Sequence, residues 1–229
     1  MTRVKLLVLV LAVAIAAAAV ASAALSPKAE LAAMKRAANI KHSAHDVLVN
    51  TSPGYKVRTV SDVGLVKGVR RMTVTHLTKT GTGEVRVILK SAYIKGNAFM
   101  MRFWGFLPGT AKKFAGRWIF IPHSSPAYAS FADGATFPSF TADLFPPSGL
   151  SLVKAGRLIG VHGTAVTQEG QTVAETVFAP AHGKPLPVKQ IATFPGHPGK
   201  DLTIISRWNE AVHVTVPARA IPIEALTGS

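Results

Sequence analysis

The chain has 229 residues, no cysteine, and a formal net charge of +15 from 26 lysines and arginines against 11 acids. Without cysteine there is no disulfide, no thiolate chemistry and no lipobox thiol to carry a lipid. The charge favours anionic partners, yet charged residues make up only 16% of the chain and no Lys/Arg run is interleaved with aromatics.

The N-terminus carries Arg3 and Lys5, an apolar run of about fifteen residues, and the A-x-A site Ala21-Ser22-Ala23. This predicts a signal peptide over residues 1–23, removed to leave a mature chain of 24–229 with a charge of +13. An uncleaved N-terminal anchor is the alternative. Export argues against nucleic acid as the partner. No composition shift divides residues 24–229, and the length suits one domain with a substantial core.

Ser26-Pro27-Lys28-Ala29-Glu30 is a helix start, with a capping hydroxyl, Pro at the first position and an acid in the first turn. Leu31, Met34, Ala38 and Ile40 follow at helical spacing over about thirteen residues. From His45 the period changes to two. Val47 and Val49 alternate with Leu48 and Asn50, Ser52-Pro53-Gly54 marks a turn, and Met72 and Val74 alternate with Arg71 and Thr73. Thr80-Gly81-Thr82-Gly83 is expected as a hairpin turn before Val85, Val87 and Leu89. These are half-buried antiparallel strands.

Between Ser91 and Pro122 the pattern breaks, and from Ala98 to Leu107 the chain is apolar nearly all round. A helix of that kind lies between layers or against a ligand. At roughly 15 Å it is about half the length a bilayer requires. Residues 122–149 carry Pro126, Pro138, Pro146 and Pro147 among aromatics, predicting helical turns at 126–132 and 139–145. From Arg157 strands return, with turns at Glu169-Gly170, 181–184, 195–199 and Asn209-Glu210, and a last strand over Val212, Val214 and Val216. About ten strands are expected, enough for a sheet to curl.

Catalytic motifs are weak. Ser151-Leu152-Val153-Lys154 and Lys79-Thr80-Gly81 match two penicillin-binding elements, but in reversed order and without S-D-N. His42, His45 and Asp46 form at best a poor metal set, better read as a solvated junction. His213 is expected at a surface or rim. No acid pair stands out, and no catalytic residue, metal or cofactor is assigned. The apolar set is Tyr93, Ile94, Phe99, Met100, Phe103, Trp104, Leu107, Trp118 and Phe120, joined by Phe137, Phe140 and Leu144. It serves either a dry core or the wall of a hydrophobic cavity; paired methionines and aromatics suit both.

Several short stretches carry a family resemblance: "AYIKGN" from Ala92, "AGRWIFIP" from Ala115, "GKPLPV" from Gly183 and "SRWNEAVHVTVP" from Ser206. In that order they resemble the actinobacterial LppX/LprG-type envelope lipoproteins and, more remotely, the LolA/LolB lipoprotein carriers. The resemblance implies an α+β fold: a strongly curved antiparallel half-barrel with helices on its concave side. It also implies a monomeric, non-catalytic envelope protein that binds or carries lipid, with the helix after "YIKGN" lining or gating the cavity. The missing acylated cysteine departs from that family. An anionic membrane surface is a further expected partner, and an interaction or sensor module with a filled core is the competing function.

Overall fold

In the computed structural model the described residues are 26–166 and 170–226. The predicted signal peptide lies outside them, as does Glu169 of one expected turn. Among the described residues no helix is long and apolar enough to cross a membrane.

The first helix, α1 (Pro27–Asn39), starts as its sequence dictates: the Ser26 side chain accepts a hydrogen bond from the Ala29 amide at 3.0 Å. Leu31, Met34 and Ala38 are buried, whereas Ile40 lies past the helix and is exposed. A first meander follows: β1 (Ser43–Ser52), β2 (Tyr55–Gly64), β3 (Lys67–His76), β4 (Lys79–Ile88) and β5 (Ser91–Gly96). Then come α2 (Ala98–Phe103), α3 (Pro108–Phe114), β6 (Ile119–Pro122), α4 (Tyr128–Ala132) and α5 (Phe137–Ala142). A second meander comprises β7 (Ser148–Ala155), β8 (Leu158–Val166), β9 (Thr172–Pro180), β10 (Lys189–Thr193) and β11 (Lys200–Ser206), and β12 (Ile221–Pro222) with a 3-10 turn (Ile223–Leu226) closes the described chain.

All twelve strands form one curved, unclosed α+β sheet in the order β12-β6-β5-β4-β3-β2-β1-β11-β10-β9-β8-β7. Every pairing is antiparallel except β12 with β6. Pairing of β1 with β11 joins the two meanders, so the sheet centre is built from the start and the end of the chain. The helices cover one face, called inner below. They divide its core in two. One cluster joins α1 and α5 to β8, β9 and β11 through Met34, Leu144, Val161 and Val177; the other joins α2 and α3 to β4–β6 through Met101, Ile94, Phe114 and Ile119.

Four expectations are corrected. The hairpin between β3 and β4 turns at Leu77-Thr78, with Leu77 at φ 52°, and not at Thr80–Gly83. Gly81 and Gly83 are strand residues, glycine because a helix lies on them. The apolar helix stops at Phe103 and turns at Gly105 (φ 90°), so it is six residues long. Strand β7, over the Ser151–Lys154 fragment, was not expected, and the Val212–Val216 alternation makes no strand. Those residues instead form an extended strap over the outer face, where Arg86 donates to the Thr215 carbonyl at 2.9 Å. In β1 the alternation resolves with Ala44, Asp46 and Leu48 on the inner face and Val47 and Val49 outward.

Candidate functional site

The site follows from register. A period of two puts Asp46 of β1, Ser61 of β2, Arg70 of β3 and Val85 of β4 side by side on the inner face, each the direct partner of the next. The neighbouring rows add Thr59, Thr203 and Gln190. Asp46, Ser61, Thr59 and Thr203 are buried, and Phe140 of α5 faces them across a small space. They form the floor of a groove between the two cores.

Three spaces adjoin along this groove. The central one, about 130 Å³, has Asp46, Ser61 and Arg70 in its floor and Phe140 and Leu144 in its wall. Arg70 is shared with a cleft of about 350 Å³ walled by Met72, Val85, Trp104 and Phe131. Asp143 is shared with a cleft of about 610 Å³ on the opposite side, bounded by Phe145, Val173 and Glu175. Trp104 and Phe131 meet edge to face at 5.6 Å, which fixes both rings in the wall. Two polar residues of the sheet hold the segments before and after α5 across the groove. Arg70 donates to the Asp133 carbonyl, and Gln190 donates to the carbonyls of Asp143 and Leu144, each at 3.3 Å.

The floor is electrostatically unusual. Burial raises the Asp46 carboxyl to about 6, although the Ser61 hydroxyl, which donates to it at 3.4 Å, and the positive charge of Arg70 pull the other way. Burial likewise lowers Arg70, opposed by Asp46 and Asp133. Glu175 rises to about 7, first through burial and then through the charge of Asp143. Asp143 and Asp201 are raised mainly by burial, and Asn50 donates to Asp201 at 2.5 Å. Asp143 and Glu175 line one cleft with Asp133 and act on one another, whereas Asp46 stands apart. Asp46 and Glu175 are separated by β11 and β10, so three strand spacings, roughly 14 Å, lie between them. That exceeds the roughly 6.5–9.5 Å of an inverting carboxylate pair.

The residues proposed from sequence divide into four groups. Trp104, Phe140 and Leu144 line the groove. Ile94, Met100 and Phe137 are buried in packed core, and Phe99 is half-buried over Gly81. Phe103 and Leu107 are 45% and 74% exposed, outside any cavity. Tyr93 and Phe120 lie on the outer face, opposite Ile94 and Ile119, with ring centroids 5.5 Å apart. The guanidinium of Arg86, also on the outer face, stacks over Trp118 at 4.6 Å. A cavity beneath the apolar helix is therefore corrected to a filled contact. A Cβ on Gly81 would come within 2.7 Å of Phe99, and one on Gly83 within 2.5 Å of Trp104 and 2.7 Å of Met100. The helix touches backbone, with no room for a ligand between.

Sequence reasoning missed Asp46, Ser61, Arg70, Met72, Phe131 and Glu175. The available signal was polar residues on positions of one strand parity: Asp46 between Ala44 and Leu48, and Thr59 and Ser61 before Val63. His45 is an outer-face residue, its Nδ1 2.7 Å from an Asp62 carboxylate oxygen that Arg207 also approaches at 3.1 Å. Among the described residues no His, Asp or Glu group is arranged to hold a metal.

No family model matches this chain, and no curated protein matches it. Among solved structures, Mycobacterium tuberculosis lipoprotein LppX is similar at 15% identity and a TM-score of 0.48, covering 82% of this chain and 98% of that one. A DUF1329 family protein from Desulfovibrio piger is similar at 8% identity and a TM-score of 0.34, covering 83% and 96%.

Proposed function

We propose that this chain is an exported, non-catalytic binding protein for an amphiphile, held in the inner-face groove between the two cores. One observation carries the reading: the two cores leave a space of about 130 Å³ over the sheet centre, with Asp46, Ser61 and Arg70 in its floor and Phe140 in its wall, next to a cleft walled by Trp104 and Phe131. Apolar walls with a few convergent polar groups are the general make-up of a ligand site. The walls would take an acyl chain, and the floor, which can both donate and accept, would take the polar end. A sixteen-carbon chain exposed to water costs on the order of 12 kcal/mol, so a lipid crossing an aqueous compartment needs such a cover.

The test is extraction of the purified mature protein with organic solvent, followed by mass spectrometry. Lipid should accompany the wild type and fall at least about tenfold in Met72→Trp, which fills the cleft beside Trp104. No lipid in the wild type, together with no change of tryptophan emission on titration with a fatty acid or lysolipid, would overturn the reading. The dry seating of α2 favours one competitor, an interaction module in which a partner's polypeptide lies in the groove. It expects protein and no lipid to be recovered.

A further inference from the structure

We infer that the corner between α2 and α3 is a membrane-docking element for anionic lipid surfaces, a deepening that rests on the amphiphile-binding reading. Phe103 ends α2 and Leu107 precedes α3, and both large apolar side chains project into solvent at 45% and 74% exposure. Isolated exposed apolar residues need no explanation, but these two stand on one tight turn at Gly105 with Phe106 half-buried between them.

Exposed cations flank them. Arg102 precedes Phe103, Lys112 and Lys113 lie on α3 after Leu107, and Arg117 follows; all four are exposed, and from Val85 to Ala132 the chain contains no acid. Of the acids outside that stretch, Glu84 pairs with Arg86 at 2.7 Å, Glu224 stands on the turn Ile223–Leu226 that packs into the same core as α2 and α3, and Asp46, Asp143 and Glu175 lie around the groove. An apolar tip flanked by exposed cations complements an anionic bilayer: the cations meet head groups while the side chains enter the interface.

The corner also adjoins the proposed site. Trp104, between Phe103 and Gly105, turns its ring into the groove wall against Phe131. A single helical turn thus presents Phe103 to the outside and Trp104 to the cleft, so docking at the corner would bring the cleft to the lipid surface.

The experiment is flotation of the mature protein with phosphatidylglycerol–phosphatidylcholine vesicles and with pure phosphatidylcholine vesicles. Wild type should bind the anionic vesicles and lose that binding at about 1 M salt, where the screening length is about 3 Å. Phe103→Ser/Leu107→Ser and, separately, Lys112→Glu/Lys113→Glu should each weaken binding at least about tenfold. The control Leu65→Ser/Val66→Ser, at an exposed apolar tip between β2 and β3, should leave it unchanged. Circular dichroism checks that each variant is folded, and the lysine pair keeps the test decisive if the apolar pair does not fold. Absence of binding to anionic vesicles, binding equal on neutral ones, or loss that follows Leu65/Val66 would overturn the inference. Failure of the groove reading is read separately: Lys112→Glu/Lys113→Glu should still show wild-type fluorescence response to a soluble lysolipid. Met72→Trp should lose that response yet still float with vesicles.

Discussion

Met72 and Gly83 are direct partners across β3 and β4, on the same face of the same sheet, and they meet opposite fates. Met72 borders an open cleft, whereas Gly83 is pressed beneath Trp104 and Met100. At this row the boundary between filled core and open groove therefore falls between two adjacent strands. On the filled side glycines remove side chains so that a helix can reach the backbone. On the open side Arg70 and Gln190 hold the segments around α5 by hydrogen bonds and leave a space beneath. The same sheet is made thin in one place and wet in the next by residue choice alone, and the empty space is as determined by sequence as the packed part.

The largest effects should come from adding atoms on the filled side. A Cβ on Gly68 would lie 1.9 Å from the Ala135 carbonyl oxygen, a backbone atom that cannot swing aside. Gly68→Ala should cost about 3 kcal/mol or more in urea unfolding. Gly83→Val should cost about as much and displace Trp104, seen as a shift of tryptophan emission. If either were neutral, the filled side would be looser than its contacts require.

Removing atoms there comes next. Met100 is fully buried between α2 and the glycines, so Met100→Ala should cost about 2–4 kcal/mol by the same measurement.

The groove floor should show itself through pH. Asp46 has a folded pKa of about 6 against an ordinary 3.8. Below about pH 4 the group is protonated in both states and contributes nothing. Between the two values the folded chain holds a proton that the unfolded chain has lost, so stability falls as pH rises and the loss is complete above about pH 6. The span corresponds to about 3 kcal/mol. Glu175, raised from 4.5 to about 7, acts in the same direction and extends the window upward. Urea midpoints measured from pH 4 to pH 8 should decline, and Asp46→Asn should flatten the lower part of that decline. A wild-type profile that rises through this window would contradict the buried position of Asp46.

The smallest effect is expected on the open side. Met72→Phe adds volume where there is room and should change stability by less than about 1 kcal/mol, in contrast to its neighbour Gly83. A large loss would mean that the groove is narrower than its geometry shows.

Much of the fold was legible because local rules operated without interference. The cap at Ser26, the turn at Pro53-Gly54, and the alternation of Val85 and Val87 against Glu84 and Arg86 read directly into structure. The misreadings have shared causes. Thr80–Gly83 looks like a turn because glycine marks turns more often than it marks a helix seat. Val212, Val214 and Val216 alternate as a strand does, but Val212 and Val214, half-buried, follow the sheet surface without entering its ladder.

The segment Ser91–Pro122 shows the division most clearly. Its sequence by itself determined that an apolar helix begins at Ala98 and seeks the interior, since a stretch so apolar has no stable surface position. Tertiary packing alone ended that helix at Phe103 and turned Tyr93 and Ile94, read together as one apolar set, to opposite faces of a strand. Only the tertiary structure decided that this helix rests on Gly81, Gly83 and Gly96 and leaves no cavity beneath, and that Phe103 and Leu107 remain outside. Those outcomes depend on strands distant in sequence meeting in one register, Asp46 beside Ser61 beside Arg70 and β1 beside β11. Pattern along the chain specifies which side chains seek burial; the pairing of strands specifies where the buried space will be and where it stays open.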